Sequence, residues 1–427
     1  MVEFLNNVNL LVFVLFFACY AYQFVYVGVR FVKRAPKRSA KELHKYAAVI
    51  AARNESEVIG ELIQSLTSQN YPAGLLDIYI VADNCTDDTA AVARELGAKV
   101  FERHNLQKVG KGYALNHAFE QIDQLYGIRH YDGYLVFDAD NVLDPNYVRE
   151  INTVFDDGYP VVTSYRNSKN YGYNWISAGY ALWFLRESKY LNGARMLCKS
   201  SCAISGTGFL VSSQIIEEDG GWKYHLMTED IEFTVDNVIK GNVIGYCETA
   251  ILYDEQPIDF KTSWNQRMRW TKGFYQVMRN YGAGLLRGCH STRGFQCFDM
   301  LATIAPATLL TIFMLLINMG AVLVGFSEGH DTLVLAAIWN IWAAIRNMYV
   351  SLFFFGLVTI ITEWKQIHCG ALRKVMYLFT FPVFMFTYLP IAIATLFKMK
   401  SVTWVPIRHS FVGTNLHHKE TTLSSVK

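Results

Sequence analysis

Two aspartates stand one residue apart behind an apolar run, in the segment Phe137-Asp138-Ala139-Asp140-Asn141. Both carboxylates follow the end of this run and lie at the same edge. Because apolar surroundings make an unpaired charge costly there, a cation is favoured as their partner. Mg²⁺ and Mn²⁺ take hard oxygen ligands, commonly one or two carboxylates together with substrate phosphates. The pair therefore predicts a divalent metal that supports a departing diphosphate, although such pairs are also common in simple polar turns.

The segment Asp83-Asn84-Cys85-Thr86-Asp87 follows another apolar run and has two interpretations. Asp83 is placed to accept a hydrogen bond from a base or a ribose. Thr86 or Asp87 could instead cap the next helix, because Asn, Asp and Thr are common N-cap residues.

Two later segments are ambiguous in the same way. Thr228-Glu229-Asp230 precedes a predicted helix. In one interpretation Thr228 is the N-cap and the acidic residues interact favourably with the helix dipole. In the other the carboxylates have a function. Gln266-Arg267-Met268-Arg269-Trp270 offers guanidinium groups for a diphosphate and an indole for a sugar face. An amphipathic surface explains this last segment equally well.

The elements that must position these residues follow an alternating pattern. Short apolar runs predict strands at 46–51, 78–81, 98–101 and 133–137, and helical spacing predicts helices at 58–66, 86–96 and 112–125. A capping box at 54–57 would start the first of these helices, and Gly97 would end the second. Alternating strands and helices predict a parallel sheet in an α/β domain, where ligands bind at the carboxyl ends of the strands.

The composition indicates a membrane protein. Hydrophobic residues make up 52% of the chain and charged residues only 18%, which is too apolar for an ordinary soluble enzyme. Uncharged runs at 10–29, 300–326 and 375–397 are long enough to cross a bilayer, and 332–362 is apolar except for Arg346. Arg346 should face a cavity or a polar partner, or snorkel to the interface. A net charge of only +2 argues against a nucleic-acid partner.

Basic residues between 30 and 41 place the segment that follows the first run in the cytosol. The loop 363–374 and the start of the tail at 398–408 are both basic, yet one span separates them, so the orientation of the last span stays open. Residues 274–286 have apolar positions at helical spacing. They predict either an interfacial helix or a surface helix packed on the soluble domain.

Taken in order, these motifs and the flanking apolar runs resemble the processive family 2 glycosyltransferases, the group of cellulose, chitin, hyaluronan and poly-N-acetylglucosamine synthases. The motifs are Asp83, Asp138-x-Asp140, Thr228-Glu229-Asp230 and Gln266-x-x-Arg269-Trp270. The resemblance covers roughly residues 45–275. It implies a Rossmann-like α/β domain of the GT-A fold inserted between transmembrane helices, a UDP-sugar donor, and Mg²⁺ or Mn²⁺ as cofactor.

The resemblance also implies roles for individual residues. Asp230 would be the general base, in a catalytic segment with Thr228 and Glu229. The nucleotide-binding residues it implies are Asp83, Lys111, Asp138, Gln266 and Arg269. The metal would lie at Asp140 and Asp138, and the acceptor-binding residues it implies are Trp270, Ser205, Gly206 and Thr207.

The sequence departs from the family pattern in three places. The proline expected in the first strand motif is absent from Ala51-Ala52-Arg53-Asn54-Glu55, and Asn84 replaces the second Asp of the usual pair. No gating-loop motif follows Trp270. With fewer C-terminal spans than cellulose synthases have, the chain is poorly suited to exporting a long polymer, and a glycolipid or a short product becomes an alternative.

The predicted organisation has five parts: an N-terminal transmembrane helix with a basic flank (1–41), a catalytic domain (42–273), an interfacial region (274–298), transmembrane helices (299–400) and a polar tail (401–427). The predicted protein is a multi-pass enzyme of the plasma membrane with a cytosolic catalytic domain. It would invert the donor linkage and form a β-glycosidic bond to a growing polysaccharide or a lipid-linked acceptor. The alternatives are a non-processive glycolipid-forming transferase and a non-catalytic membrane protein that binds sugar nucleotides.

Overall fold

The computed structural model describes residues 1–304 and 306–399, so the predicted polar tail lies outside the described residues. The helices of the first half are α1 (Val2–Tyr20), α2 (Tyr22–Val32), α3 (Ile59–Thr67), α4 (Thr89–Glu95), α5 (Lys111–Tyr126), α6 (Tyr147–Asp156), α7 (Trp175–Arg186) and α8 (Gly193–Leu197). The helices of the second half are α9 (Ser213–Glu218), α10 (Glu229–Lys240), α11 (Phe260–Gly288), α12 (Gly294–Ile304), α13 (Pro306–Glu328), α14 (Asp331–Thr362), α15 (Ala371–Phe386) and α16 (Tyr388–Lys398). A π-helical segment, Glu187–Asn192, joins α7 to α8, and short 3₁₀ turns occur at Ala73–Leu75 and Ile128–His130.

The described strands form one mixed sheet. They are β1 (Tyr46–Ala52), β2 (Leu76–Asp83), β3 (Lys99–Arg103), β4 (Gly133–Asp138), β5 (Val142–Leu143), β6 (Val161–Ser168), β7 (Phe209–Ser212) and β8 (Ile244–Asp254). Their order across the sheet is β3-β2-β1-β4-β7-β6-β8-β5. The first four pair in parallel, whereas β7 runs antiparallel to both β4 and β6.

The parallel half of the sheet confirms the prediction from the alternating pattern. Val49 and Ile50 of β1 and Leu135 and Val136 of β4 are 0% exposed, as expected for central strands covered on both faces. Because these strands run in the same direction, the aspartates at the ends of β2 and β4 come to the same edge. Each of these aspartates is the last residue of its strand, not the residue after it.

The predicted capping box at 54–57 is wrong. Helix α3 begins at Ile59 and no side chain caps it. Asn54 instead has a φ of 57°, and its side-chain oxygen accepts a hydrogen bond from the backbone N–H of Thr86 at 2.8 Å. A contact between two loops has therefore displaced the local capping interaction. Thr228 does occupy the N-cap position of α10, but its hydroxyl makes no capping hydrogen bond.

Among the described residues, four helical segments are long and apolar enough to cross a membrane: Val2–Val32, Leu309–Glu328, Asp331–Thr362 and Ala371–Lys398. They contain three of the four predicted apolar runs in full. The run predicted at 300–326 is divided, because residues 300–304 end α12 and the span begins at Leu309. Met300 and Ile304 pack with the apolar side chains of α10 and α11, which explains their hydrophobicity without a membrane.

Residues 274–286 belong to α11, the same helix that carries Gln266 and Trp270. Val277 and Leu285 are 0% exposed and pack with Val235 and Val238 of α10. Of the two interpretations of this region, the structure favours a helix packed on the α/β domain. The domain boundary predicted at 273/274 lies within α11 and stays a prediction.

Helix α2 is joined to the domain through a buried ion pair, to which two of its tyrosines donate hydrogen bonds. Arg195 of α8 donates two hydrogen bonds to Asp299 of α12, at 2.8 and 2.7 Å. The hydroxyls of Tyr22 and Tyr26 donate to the same carboxylate, each at 2.8 Å. Arg195 is 1% exposed and Asp299 is 0% exposed, so this cluster fixes three helices around one satisfied charge pair.

Candidate active site

A cavity of about 2130 Å³ lies at the carboxyl ends of β2 and β4 and continues between the membrane helices. At one end it is lined by carboxylates, and at the other by apolar side chains such as Phe13, Leu310 and Ala344. The predicted site residues that line it are Asp83, Lys111, Asp138, Asp140, Ser205, Gly206, Thr228, Glu229, Asp230, Gln266, Arg269 and Trp270. Side chains separated by almost 190 positions in the sequence therefore meet in one cavity, while Thr207 lies outside its lining.

Asp138 is held from two sides at the end of β4. Its carboxylate accepts a hydrogen bond from Lys111 Nζ at 2.5 Å, and its backbone N–H donates to the hydroxyl of Thr207 at 2.9 Å. Thr207, which is 3% exposed, bonds onward to Asn141. Thr207 thus stabilises the end of β4 and is not among the residues that line the cavity. The sequence resemblance had instead implied that Thr207 contacts an acceptor.

Lys111 is the cation at the centre of the site. Its Nζ also donates to the carbonyl of Gly206 at 2.6 Å and lies 3.8 Å from a carboxylate oxygen of Glu229. Burial lowers the pKa of Lys111, but the neighbouring carboxylates raise it further, so that the net shift is upward. The side chain therefore keeps its positive charge where a diphosphate could bind.

A second charged pair stands beside Asp140. Arg166 of β6 forms an ion pair with Asp254, the last residue of β8, and donates to the carbonyl of Ser205 at 2.6 Å. Burial, offset in part by Arg166, raises the pKa of Asp254 to about 6, and the nearby charges of Asp140 and Asp138 add to this rise. Three carboxylates gathered at one edge of the sheet are the kind of oxygen donor set that a divalent cation stabilises.

Asp83 is turned toward the protein as well as toward the cavity. It is 5% exposed, and its carboxylate accepts hydrogen bonds from Arg103 at 2.5 Å and from Asn84 at 3.0 Å. Arg103 also donates to the carbonyl of Lys108 at 2.6 Å. The carboxylate of Asp83 is therefore fixed in one orientation at the nucleotide end predicted for the site.

Glu229 and Asp230 begin α10 and face the cavity. Burial raises the pKa of Glu229 to about 7, with Lys111 opposing this rise and Asp230 adding to it. Burial also raises the pKa of Asp230, against backbone hydrogen bonds that stabilise its charged form. A carboxylate whose pKa moves toward neutrality is suited to take a proton at physiological pH.

Helix α11 presents Gln266, Arg269 and Trp270 to the cavity. Burial lowers the pKa of Arg269, while the charges of Glu229 and Asp138 favour its charged form. Trp270 packs edge-on against Tyr180, with ring centroids 5.6 Å apart. The Oε1 atom of Gln266 is buried and has no hydrogen-bond partner among the described residues, so it is available to a ligand.

Arg267, in the same motif, points the other way. It is 0% exposed, and its guanidinium lies 4.5 Å from the ring of Phe384 and 5.0 Å from that of Tyr388. It also bonds to Thr387. Arg267 therefore anchors α11 to the junction of α15 and α16 and takes no part in the cavity.

The family model described as "Glycosyltransferase like family 2" matches residues 44–273. The chain belongs to this family of glycosyltransferases. The matched residues contain the whole sheet and the carboxylates at its edge.

Relatives of this glycosyltransferase include two whose names state different products. The probable glycosyltransferase YdaM of Bacillus subtilis is 28% identical over 59% of this chain and 60% of its own length. The β-monoglucosyldiacylglycerol synthase of Synechocystis is 28% identical over 55% of this chain and 48% of its own. The poly-β-1,6-N-acetyl-D-glucosamine synthase of Staphylococcus aureus is 26% identical over 58% of both chains. The matched part of this chain spans about half to three-fifths of these relatives, at 60%, 48% and 58% of their lengths.

The mannosyltransferase PcManGT of Pyrobaculum calidifontis, solved with GDP-Man and Mn²⁺, superposes with a TM-score of 0.56. It is 15% identical and covers 92% of this chain and 99% of its own. The glycosyltransferase domain has the GT-A fold, with apolar helices before and after it, as the resemblance predicted.

Sequence reasoning missed three residues at the centre of this glycosyltransferase site: Arg166, Glu187 and Asp254. All three line the cavity. Asp254 ends a strand, as Asp83 and Asp138 do, so the same strand-end signal could have found it. A further group of metal-binding residue types, Glu42, His44 and Asp156, lies outside the cavity lining.

Proposed function

We propose that this glycosyltransferase moves a sugar from a UDP-sugar onto a hydroxyl group of a lipid-linked acceptor. The transfer inverts the anomeric centre and forms a β-glycosidic bond. Asp230 is the general base, and Mg²⁺ or Mn²⁺ binds at Asp140 and Asp138.

The observation that carries this proposal is the continuity of the cavity. Asp138 and Asp230 line the same cavity as Phe13 and Leu310, which belong to membrane helices. A soluble acceptor needs no apolar passage of this kind, whereas a lipid could keep its chains among the membrane helices while its head group reaches the carboxylates. The β-monoglucosyldiacylglycerol synthase of Synechocystis, whose name gives a lipid product, is a relative that supports the proposal.

The residues of the site divide the work of transfer. Lys111 and Arg269 hold the diphosphate by charge-assisted hydrogen bonds, with Gln266 beside them. Asp83 receives the nucleoside, and Trp270 with Ser205 and Gly206 positions the acceptor. Asp230 takes the proton of the acceptor hydroxyl as that oxygen attacks the anomeric carbon. General-base assistance of this kind contributes roughly 10²–10⁴-fold to a rate.

The donor set fits a divalent cation. Asp138 and Asp140 supply carboxylate oxygens, and both lie near enough to Asp254 for their charges to add to the rise in its pKa that burial causes. When bound, Mg²⁺ or Mn²⁺ neutralises the charge that develops on the leaving diphosphate. Asp254, paired with Arg166, supports this cluster from β8.

A growing polysaccharide is the second candidate acceptor. The poly-β-1,6-N-acetyl-D-glucosamine synthase of Staphylococcus aureus is a relative over the same region, and the edge-on packing of Trp270 against Tyr180 leaves an indole on the cavity wall for a sugar face. A polymer would leave along the passage that the first candidate assigns to a lipid. Product length separates the two candidates.

The membrane arrangement is part of the proposal. The helices flanking the domain anchor a multi-pass protein in the plasma membrane, and the basic residues between 30 and 41 favour a catalytic domain on the cytosolic side, where sugar nucleotides are made. The partners are then a UDP-sugar, membrane lipids and the lipid or polysaccharide acceptor, with no nucleic acid.

The test is to incubate the purified protein in lipid nanodiscs with a panel of UDP-sugars and with GDP-mannose. Each donor is offered with Mn²⁺, with Mg²⁺ or with EDTA. We expect UDP release and one labelled, lipid-extractable product, and loss of both in EDTA. Release of GDP alone would contradict the donor, undiminished release in EDTA would contradict the metal, and a water-soluble polymer would establish the second candidate.

A further inference from the structure

Arg186, the last residue of α7, is a buried cation without a carboxylate partner. It is 4% exposed, and no ion pair joins it to any acidic side chain among the residues that the structure describes. Its Nη2 donates to the side-chain oxygen of Gln23, while Nε and Nη1 have no hydrogen-bond partner in the described part of the chain. Two other arginines of the cavity differ from it, because half-buried Arg166 pairs with Asp254 and buried Arg195 pairs with Asp299.

An unpaired buried guanidinium is costly, and the structure reflects this cost. Burial lowers the pKa of Arg186 to about 10, and the charge of neighbouring Glu187 does not offset this effect. The guanidinium lies 4.9 Å from the ring of Trp183 and 4.8 Å from that of Phe355, so aromatic faces provide part of its stabilisation. An anion would provide the rest.

Arg186 stands where the carboxylates give way to the membrane helices. The next residue, Glu187, accepts a hydrogen bond from the hydroxyl of Ser205, whose carbonyl binds Arg166 of the catalytic cluster. On its other side Arg186 bonds to Gln23 of α2, a membrane helix, and both residues line the cavity. A ligand that extends from the bilayer to the catalytic carboxylates can therefore contact Arg186.

The membrane end of the cavity has one charged side chain among the described residues, and it is a cation. Among the described residues that the membrane helices contribute to the lining, Arg346 is the charged one, and its guanidinium bonds to the amide oxygen of Asn347 at 3.1 Å. The acidic lining residues come instead from the α/β domain. An acidic head group entering from the bilayer therefore meets arginines before it meets carboxylates.

We propose that Arg186 binds the phosphate group of the lipid that this cavity admits. The acceptor is then a phosphate-bearing lipid whose free hydroxyl continues toward Asp230. This assignment rests on the proposed function and names its acceptor class. A phosphate oxygen that takes the place of Gln23 at Nη2 can bind a second guanidinium nitrogen at the same time, in the bidentate arrangement that suits arginine.

The first experiment measures lipid binding, which does not depend on transfer. Purified protein in detergent is titrated with dioctanoyl phosphatidic acid, with dioctanoylglycerol and with inorganic phosphate. We expect saturable binding of phosphatidic acid, at least about tenfold tighter than binding of dioctanoylglycerol. Equal binding of the two lipids overturns the proposal. Inorganic phosphate that competes as well as the lipid also overturns it, since the site then takes a free anion.

The second experiment substitutes the arginine. We expect R186Q to weaken phosphatidic acid binding about tenfold or more while the binding of dioctanoylglycerol and of UDP is kept. The matched control is R94Q, because Arg94 is an exposed arginine paired with Glu102 and lies outside the cavity lining. Unchanged phosphatidic acid binding by R186Q overturns the proposal. Loss of UDP binding by R186Q would mean that the variant does not fold. The lipid preference of the unsubstituted protein then tests the proposal without the variant.

A third variant separates this inference from the proposed function. We expect D230N to keep the preference for phosphatidic acid while it loses transfer. Lipid preference without transfer by the unsubstituted protein would refute the catalytic assignment and leave the role of Arg186 in place. Transfer to a neutral diacylglycerol in nanodiscs, with the same efficiency in R186Q, would keep the catalytic assignment and overturn the role of Arg186.

Discussion

The polar side chains at the two ends of the cavity have different kinds of partner. At the strand ends, Asp138 is paired with Lys111 and Asp254 with Arg166, so that charges of opposite sign lie in contact. Between the membrane helices the polar groups are mostly neutral amides. Asn9 and Asn318 exchange two hydrogen bonds, at 3.2 and 2.7 Å.

This difference separates groups that bind ligands from groups that hold helices together. An amide pair satisfies itself and needs nothing further, which suits helix association in a bilayer. A cluster of carboxylates and cations that line an open cavity can bind further charged groups, which suits a site for a metal and a diphosphate. The predictions below test this division, in order of decreasing effect.

The largest effect is expected at Asp230. Replacing it with Asn removes the base but keeps the shape, so transfer should fall about 10²–10⁴-fold while UDP binding is kept. Measured rates of UDP release in the presence of acceptor check this. D157N is the control, because Asp157 is an exposed partner of Arg38 on the surface. Near-normal transfer by D230N would move the base role to another group.

The buried pair between Arg195 and Asp299 should matter for stability and not for chemistry. Replacing Asp299 with Ala leaves a buried arginine without its partner, which typically costs about 3–5 kcal/mol. A lower unfolding temperature in detergent, with the UDP affinity unchanged at low temperature, is the expected result. The double variant R195M/D299L should recover most of the loss, because an apolar pair of similar volume replaces the charges. If D299A unfolds no earlier than the unsubstituted protein, the cluster does not hold α2, α8 and α12 together.

Replacing Asp140 with Asn tests the metal assignment. We expect turnover at saturating donor to fall about 10²–10³-fold, since metal stabilisation of a leaving group is worth several kcal/mol. Excess Mn²⁺ should restore part of the loss. D144N is the control from the same region, outside the cavity lining. A D140N enzyme with an unchanged Mn²⁺ requirement would exclude Asp140 as a ligand.

The parallel half of the domain could be predicted from the sequence for a physical reason. Residues 46–51 and 133–137 are apolar runs that only a central strand can bury, and strands of one direction bring Asp83 and Asp138 to one edge. The order of the motifs along the chain then identified Asp230 and Arg269 as further site residues. All four lie in one cavity.

The rest depended on contacts that the sequence does not encode locally. Arg166 meets Asp254 because β6 and β8 pair in parallel across nearly ninety residues of chain. Asn54 bonds to Thr86 of a different loop, and this contact defeated the capping pattern at 54–57. Arg186 belongs to no motif, because what distinguishes it is the lack of a carboxylate partner among the described residues.

The smallest effect concerns the pH dependence of transfer. Burial raises the pKa of both Glu229 and Asp230, so the pair holds a proton below about neutral pH and the base is available only as that proton leaves. Transfer should therefore increase with pH through the range around the pKa of Glu229, which is about 7. A negative charge at Glu229 opposes ionisation of Asp230, because each charge disfavours the other.

Replacing Glu229 with Gln removes that opposing charge while keeping the size of the side chain. The pKa of Asp230 should then fall, and the acidic limb of the rate profile should move to lower pH. E217Q is the matched control, since Glu217 is half exposed and paired with Arg129. A limb that stays in place in E229Q, or moves to higher pH, would mean that the titrating group is not coupled to Glu229. The carboxylate end of the cavity would then lack the coupled charges that distinguish it from the membrane end.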